Sequence, residues 1–296
     1  MLERDGYMPG VPCWVDTSQP DPDAALDFYA GLFGWEFEDA MPPDAPGKYY
    51  FARLRGRDVA AVGSQPEGGP PMAAWNTYIW VESADEASSK VTDAGGRVLT
   101  DPFDVMDAGR MAVFSDPEGA AFCVSQAKQH KGAQIVNEPG SLNFNGLNTR
   151  DAEGAKSFYG SVYGWKTLRL EGGAEVWRLP GYGDFLERSD PGLPKRMAES
   201  GAQAGFEDLV ATINPIADDQ PEVPAHWSVT FAVEDADATA KRAAELGGKV
   251  VVPPFDAPWV RITVIADPQG ATFIASKFVP ENKDLASRPN TTVRAA

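Results

Sequence analysis

The spacing of hydrophobic positions changes several times along the chain, and each change predicts a different element. Apolar residues at helical spacing between residues 24 and 32 predict an amphipathic helix, which Asp21-Pro22-Asp23 introduces and Gly34 ends. A second helix is predicted at Ala84–Ala94, where Gly95-Gly96 stops it. Short apolar or alternating runs predict the strands of the same region. They are Pro12–Thr17, Tyr49–Leu54, Val59–Gly63, Thr77–Val81, Arg97–Leu99, Ala112–Ser115 and Ala121–Ser125.

The same order of motifs occurs twice, which indicates two homologous halves. Phe-Tyr with Gly-Trp recurs about 130 residues later, and the Asp-Pro-x-Gly turn recurs about 150 residues later. The recurring segments are Phe28-Tyr29 and Phe158-Tyr159, Gly34-Trp35 and Gly164-Trp165, and Asp116–Gly119 and Asp267–Gly270. Each half reads as two β-α-β-β-β units. About 25 extra residues lie between Gly181 and Asp208, where we expect a surface loop and helix, or alternatively a lid over a pocket.

Charge and composition narrow the possible functions. The chain carries 43 acidic and 26 basic side chains, a net charge of -17, and has a sequence pI near 4.5. That balance argues against nucleic acid and anionic membrane surfaces as partners, because both attract cationic proteins. No apolar run is long enough to span a membrane, the start has no signal-peptide pattern, and two cysteines do not make a disulfide framework. A soluble, cytoplasmic protein is therefore expected.

The doubled motif order resembles the vicinal oxygen chelate superfamily, which includes glyoxalase I, bleomycin and fosfomycin resistance proteins and extradiol dioxygenases. Within it, the chain is similar to the tandem two-domain actinobacterial glyoxalase-like branch. The resemblance implies an α+β fold in which four βαβββ units form two tandem domains with cup-shaped mixed sheets. The predicted boundaries are 8–128 for the first domain, 129–140 for a linker, 141–279 for the second domain with its insertion at about 182–207, and 280–296 for a flexible tail. The resemblance also implies that the first unit shares a cup with the fourth unit, and the second unit with the third.

Most of that superfamily uses a divalent metal held by His, Gln or Glu at set strand positions. At the corresponding positions this chain has residues that are poor ligands for such ions, apart from one cysteine. These residues are Trp14, Phe144, Asn76, Ser228, Cys123 and Ile274. Only two histidines, His130 and His226, occur in the whole chain. We therefore expect no metal site and no cofactor.

Candidate chemistry remains on the inward faces of the predicted cups. Strand alternation places Asp16 on the same face as Trp14, and His226 with Thr230 on the same face as Ser228. If units one and four share a cup, Asp16 and His226 can form an acid/base pair there. The alternative is that Asp16 caps a turn or meets an arginine and that His226 lies at a solvent-exposed strand rim. The candidate substrate-binding residues are Trp14, Asn76, Tyr78, Cys123, Phe144, Trp177, Ser228, Thr230, Trp259 and Arg261.

Each of these candidates has a plainer structural interpretation. The tryptophans serve equally as packing residues, and Cys123 as a small buried hydrophobic residue. Arg261 and its counterpart Arg110 either bind a ligand carboxylate or pair with the turn aspartates or with Asp256 and Asp104.

Three functions follow from this pattern, in order of preference. The first is a metal-independent acid/base enzyme, a lyase, isomerase or cyclase, that isomerises, cyclises or dehydrates an aromatic or polyketide-like metabolite of antibiotic biosynthesis. The second is a protein that binds and sequesters an antibiotic or metabolite without changing it, and the third is a glyoxalase-like metalloenzyme with an unusual site. The expected partner is a small aromatic or hydrophobic organic molecule, and the expected state is a monomer or homodimer.

Overall fold

The chain folds into four βαβββ units. The computed structural model describes residues 3–65, 72–171 and 173–287. Unit one comprises β1 Pro12–Gln19, α1 Pro22–Phe33, β2 Glu36–Asp39, β3 Tyr49–Leu54 and β4 Arg57–Ser64. Unit two comprises β5 Ala74–Trp80, α2 Ala84–Asp93, β6 Arg97–Val105, β7 Gly109–Ser115 and β8 Ala121–Ala127.

The second half repeats this order with additional helices. Unit three comprises β9 Leu142–Thr149, α3 Ala152–Tyr163, β10 Lys166–Arg169, β11 Glu175–Arg178, α4 Tyr182–Glu187, α5 Leu193–Glu199, a 3-10 turn at Phe206–Asp208 and β12 Leu209–Pro215. Unit four comprises β13 His226–Ala232, α6 Ala236–Glu245, β14 Lys249–Ala257, β15 Val260–Ala266 and β16 Thr272–Phe278. A 3-10 helix follows at Pro280–Ser287, and the rest of the predicted tail lies outside the described residues.

Local sequence signals explain why the first helix of each half begins and ends where it does. The Asp21 side chain accepts a hydrogen bond from the Ala24 N–H at the start of α1, and Gly34 adopts φ 71° at its end. Asp151 and Gly164 do the same for α3, with φ 74° at the glycine. An acceptor at the helix start satisfies a free N–H, and glycine adopts the left-handed conformation without steric cost.

Two mixed eight-stranded sheets form the body of the protein. The strand order is β2-β3-β4-β1-β5-β8-β7-β6 in the first sheet and β10-β11-β12-β9-β13-β16-β15-β14 in the second. Units one and two therefore build the first sheet, and units three and four the second. The implied pairing of unit one with four and unit two with three in a cup is wrong, because β1 pairs antiparallel with β5 at the centre of its own half.

The helix-side cores, in contrast, do join units of different halves. Tyr29 of α1 donates to the Asp267 carboxylate in the last turn of unit four at 2.8 Å. Tyr159 of α3 donates to Asp116 of unit two at 3.1 Å. One buried cluster accordingly combines α1 with strands of unit four, and the other combines α2 and α3. The repeated Phe-Tyr and Asp-Pro-x-Gly motifs therefore hold the two halves together.

Candidate functional site

The helix-free face of each sheet is called its cup here. In the first cup, the antiparallel register places Trp14 opposite Tyr78 and Asp16 opposite Asn76. The parallel β5–β8 register places Cys123 beside Tyr78. The structure thus brings together five residues that the sequence predicted as site residues.

A buried carboxylate stands at the centre of this face. Asp16 is only 5% exposed. Its Oδ2 accepts hydrogen bonds from the hydroxyls of Tyr78 at 2.7 Å and Tyr49 at 3.0 Å, and its Oδ1 accepts one from the Asn76 amide at 2.8 Å. The indole N–H of Trp14 in turn donates to the Tyr49 oxygen at 3.2 Å. We call these five residues the Asp16 network.

Burial is the main influence on the protonation of Asp16. It raises the pKa of the Asp16 carboxyl, while the hydrogen bonds from Asn76, Tyr78 and Tyr49 oppose that rise. Burial and the neighbouring Asp16 charge also raise the pKa values of both tyrosines well above their usual range. The tyrosines therefore stay protonated as donors, and Asp16 is the group of the network that can exchange a proton.

A cluster of three aromatic rings, Trp14, Phe51 and His130, adjoins the network, and the sequence did not predict it. The imidazole of His130 lies edge-on to Trp14 with ring centroids 4.4 Å apart. It also stacks on Phe51 at 5.1 Å and an interplanar angle of 28°. Its Nε2 is buried and has no hydrogen-bond partner among the described residues. Burial lowers the pKa of His130 to about 4, with the charge of Asp58 opposing that change.

Cys123 fits the interpretation as a small buried hydrophobic residue. The side chain is buried, and burial raises the pKa of its thiol, with the charge of Asp16 adding to the effect. A thiol held neutral in this way is a poor nucleophile.

The predicted pair of Asp16 and His226 is not formed. His226 lies on β13 of the other sheet, opposite Asn148 of β9. Its Nδ1 lies 2.8 Å from the Pro224 carbonyl oxygen, and its Nε2 lies 3.2 Å from the Asn148 amide nitrogen. The carbonyl can only accept, which assigns the proton to Nδ1 and leaves Nε2 to accept from Asn148. The two residues lie apart because β1 and β13 belong to different sheets.

The second cup contains the predicted residues Phe144, Ser228 and Thr230, but no counterpart of Asp16. Thr230 pairs with Phe144, and Ser228 with Gly146, which occupies the place of Asp16 in the repeat. The Ser228 hydroxyl donates to the Gly146 carbonyl at 3.1 Å. This cup is therefore polar but lacks a central carboxylate.

Three further predicted residues lie away from both cup floors. Trp177 is fully buried on the helix side, where its ring contacts Tyr159 at 5.2 Å. Trp259 occupies the β14–β15 turn and stacks on Phe278. Arg261 pairs with Asp237 at 2.8 Å and with Asp256 at 3.0 Å.

Trp177 and Arg261 thus have the structural roles that the sequence left open as alternatives. The counterpart Arg110 likewise pairs with Asp85 and Asp104, although not with the turn aspartate Asp116. An arginine engaged with two carboxylates is a poor candidate for binding a ligand anion.

The donor set of the first cup does not suit the divalent metal implied by the resemblance. No group of three or more His, Cys, Asp or Glu side chains in residues 3–65, 72–171 and 173–287 is arranged to hold a metal ion. The Asp16 oxygens already accept three hydrogen bonds, and burial disfavours the Cys123 thiolate. A hard or borderline cation needs several anionic or imidazole ligands that converge on one point.

The two repeated cup-shaped domains define the class of protein. A model of the Glyoxalase/Bleomycin resistance protein/Dioxygenase superfamily matches residues 14–124 and 133–274, so the chain belongs to that superfamily. Over 287 residues it is 41% identical to the putative glyoxylase CFP32 of Mycobacterium tuberculosis, covering 95% of this chain and 100% of that protein. It is also 36% identical over 285 residues to the anthracycline biosynthesis protein DnrV of Streptomyces peucetius, covering 90% of this chain and 93% of that protein.

Solved structures share the fold at low sequence identity. The Mn(II)-bound glyoxalase of Novosphingobium aromaticivorans superposes with a TM-score of 0.58 at 16% identity, covering 94% of this chain and 83% of that one. The 2,3-dioxygenase LapB of Pseudomonas sp. KL28 gives 0.57 at 12% identity, covering 92% and 93%. None of the described helices is long and apolar enough to cross a bilayer.

Proposed function

We propose that this chain is a metal-independent enzyme in which Asp16 acts as a general base on an aromatic or polyketide-like metabolite bound in the first cup. The observation that carries the proposal is the buried Asp16 carboxylate, held by two tyrosine hydroxyls and one amide. A carboxylate whose pKa is raised by burial is a stronger base than an exposed one, and its fixed position favours a defined proton transfer.

The network reaches the open side of the cup through two of its members. Asn76 and Tyr49 are only partly buried, whereas Asp16, Trp14 and Tyr78 are buried. A substrate would therefore meet Asn76 and Tyr49 first, with its acidic C–H directed towards Asp16. The tyrosine hydroxyls would steady the carboxylate as it takes up the proton, and Asn76 would orient it. Isomerisation, cyclisation and dehydration can each begin with such a proton abstraction.

The aromatic cluster beside the network supports a flat substrate. The rings of Trp14, Phe51 and the His130 imidazole already lie in mutual contact beside the network. Such faces bind planar organic molecules well. Two relatives, from Streptomyces peucetius and Streptomyces sp. strain C5, are named anthracycline biosynthesis proteins, and anthracyclines are flat aromatic polyketides. The aromatic cluster and the names of these relatives together support an aromatic polyketide as the substrate class.

Binding without turnover is the second candidate. The Asp16–His226 pair is absent, so the first cup has one strong proton-transfer group rather than two, while its aromatic cluster remains suited to contact with a ring. A glyoxalase-like metalloenzyme ranks third because the ligand positions do not suit a metal. Metal analysis of protein purified without a chelating tag tests that ranking: one equivalent of zinc, nickel, iron or manganese per chain would overturn metal independence.

The test begins with a titration of the tryptophan fluorescence by a panel of anthracycline aglycones and related aromatic polyketides. Ligands that bind are incubated with the protein, and the products are analysed by mass spectrometry and chromatography. We expect turnover, with kcat/KM rising with pH as Asp16 becomes ionised. Return of every ligand unchanged would favour sequestration instead.

Two variants locate the chemistry. Asp16→Asn should lower kcat by at least about a hundredfold, as is typical when a general base is removed, while binding persists. Ser228→Ala in the second cup is the matched control and should leave kcat unchanged. Turnover that survives Asp16→Asn would exclude Asp16 as the base, and turnover lost in Ser228→Ala would place the reaction in the other cup.

A further inference from the structure

The segment between β11 and β12 forms a cover at one end of the second half. It contains α4, α5 and the 3-10 turn at Phe206–Asp208. Tyr182 at the start of α4 accepts a hydrogen bond from the Arg4 guanidinium at 2.9 Å, which ties the cover to the N-terminal segment. Gly201 at the far end of the cover lies beside the ring of Trp259 in the β14–β15 turn.

A cavity of about 100 Å³ lies beneath this cover. Its apolar wall is formed by Leu186, Met197 and Phe206 of the cover together with Phe144 of the second cup. An apolar cavity of roughly 150 Å³ can hold benzene, so a volume of about 100 Å³ suits only a small molecule.

Arg4 makes one end of the cavity cationic. Its guanidinium lies over the rings of Tyr7 at 5.2 Å and Tyr182 at 5.9 Å. No carboxylate of the described residues pairs with it. The Tyr182 hydroxyl accepts a hydrogen bond from one N–H of the guanidinium, which has five N–H donors in all. Lack of a carboxylate partner is notable in a chain of net charge -17.

The one acidic residue of the cavity wall is engaged elsewhere. Glu207 lines the cavity, and its Oε2 accepts the Gly205 N–H at 3.0 Å. Arg4 pairs neither with Glu207 nor with another carboxylate of the described residues, so its remaining N–H groups are left for a ligand. Arginine binds carboxylates through two parallel hydrogen bonds, and such charge-assisted bonds are strong where water is largely excluded.

From this geometry we propose a second binding site, separate from the Asp16 network, for a small organic carboxylate with an apolar body. Its carboxylate lies on Arg4, and its apolar part packs against Phe144 and the residues of the cover. The cover closes this site, which makes the insertion a part of ligand binding in the second half of the chain.

Benzoate is the probe, with benzamide as its uncharged analogue, and isothermal titration calorimetry of the full chain is the measurement. We expect benzoate to bind at least about tenfold more tightly than benzamide. Arg4→Gln should raise the Kd for benzoate at least about tenfold, since a charge-assisted pair is lost. Arg188→Gln, which removes an exposed guanidinium from the same cover, should leave the Kd unchanged.

Further variants separate a binding role from a structural one. Met197→Trp fills the cavity without altering Arg4 and should abolish benzoate binding, with circular dichroism confirming that the fold is intact. Asp16→Asn should not change benzoate binding, so this site can be tested whether or not the first cup is catalytic. Absence of benzoate binding at millimolar concentration would overturn the proposal. An unchanged Kd in Arg4→Gln, with only a loss of thermal stability, would show that Arg4 is merely a tether.

Discussion

Burial of His130 makes the stability of the protein depend on pH. The pKa of this imidazole falls from 6.5 to about 4 on burial. A difference of about 2.5 pH units corresponds to roughly 3.4 kcal/mol, and about 2–3 kcal/mol remains after allowance for partial exposure of the ring. The folded state binds fewer protons than the unfolded state between pH 4 and 6.5, so the contribution is fully present above pH 6.5. It is lost as the pH falls towards 4.

The perturbation is His130→Phe, which keeps a ring against Trp14 and Phe51 but removes the titration. Urea unfolding is followed by tryptophan fluorescence at several pH values from 7 to 4. Relative to the variant, the wild type should lose about 2–3 kcal/mol of unfolding free energy across this range. The pH-dependent contributions of the carboxylates to stability are the same in the wild type and the variant, so they cancel in the difference. His130→Gln should be less stable at pH 7 because ring packing is lost, yet it should show the same relative change with pH. A wild-type-minus-variant difference that is constant from pH 7 to 4 would refute the burial of His130 in the first cup.

Two further predictions concern the joining of the halves and the difference between the cups. Tyr159→Phe should destabilise the protein by about 2–4 kcal/mol, because it removes the donor to Asp116 and the acceptor of a buried indole N–H. Tyr29→Phe should cost only about 1 kcal/mol, since a glutamine amide also donates to the same carboxylate oxygen. Thermal and urea unfolding measure both, and equal losses would contradict this account of the inter-half contacts. Gly146→Ala should cost about 1–3 kcal/mol because its Cβ would overlap the Thr212 hydroxyl. An unchanged melting temperature would show that the second cup has room for a side chain there.

The elements of the fold were predictable because their signals are local. An aspartate acceptor at the start of α1 and a glycine at its end are readable from a few consecutive residues, and both recur in the second half. The order of the sheets was not predictable in the same way. The units that share a sheet are determined by pairing between distant strands, such as β1 with β5. Unit one also contacts unit four, but through the hydrogen bond from Tyr29 to Asp267 on the helix side and not through paired strands.

The candidate site was predictable in part, for a related reason. Strand alternation places Trp14 and Asp16 on one face from sequence alone, and the same rule places Asn76 with Tyr78. The face of Tyr49 depends on the pairing of β3 with β4, in which Tyr49 lies opposite Gly63, and a period-two pattern does not reveal that pairing. His130 comes from a linker without periodicity, so its place against Trp14 follows only from the tertiary structure.

Trp177 is the converse case. Its residue type makes it an aromatic candidate, but the sequence does not show which face of the sheet it occupies. The preceding residue, Val176, pairs with Thr212, and Thr212 pairs with Gly146 of the second cup, so Val176 lies on the cup face. Trp177 lies on the opposite face, against Tyr159 of α3. Residue type alone did not distinguish packing from binding.

The protonation of Asp16 is the central physical claim, and carbon-13 NMR of labelled aspartate carboxyls measures it without a substrate. The Asp16 signal is assigned by its absence in Asp16→Asn. The account predicts a titration midpoint above the ordinary value of 3.8, because burial outweighs the three hydrogen bonds. It also predicts a further rise of that midpoint in Tyr78→Phe, which loses one donor to the ionised form. A midpoint at or below 3.8 would show that Asp16 is a fixed structural acceptor and would contradict its proposed role as the base.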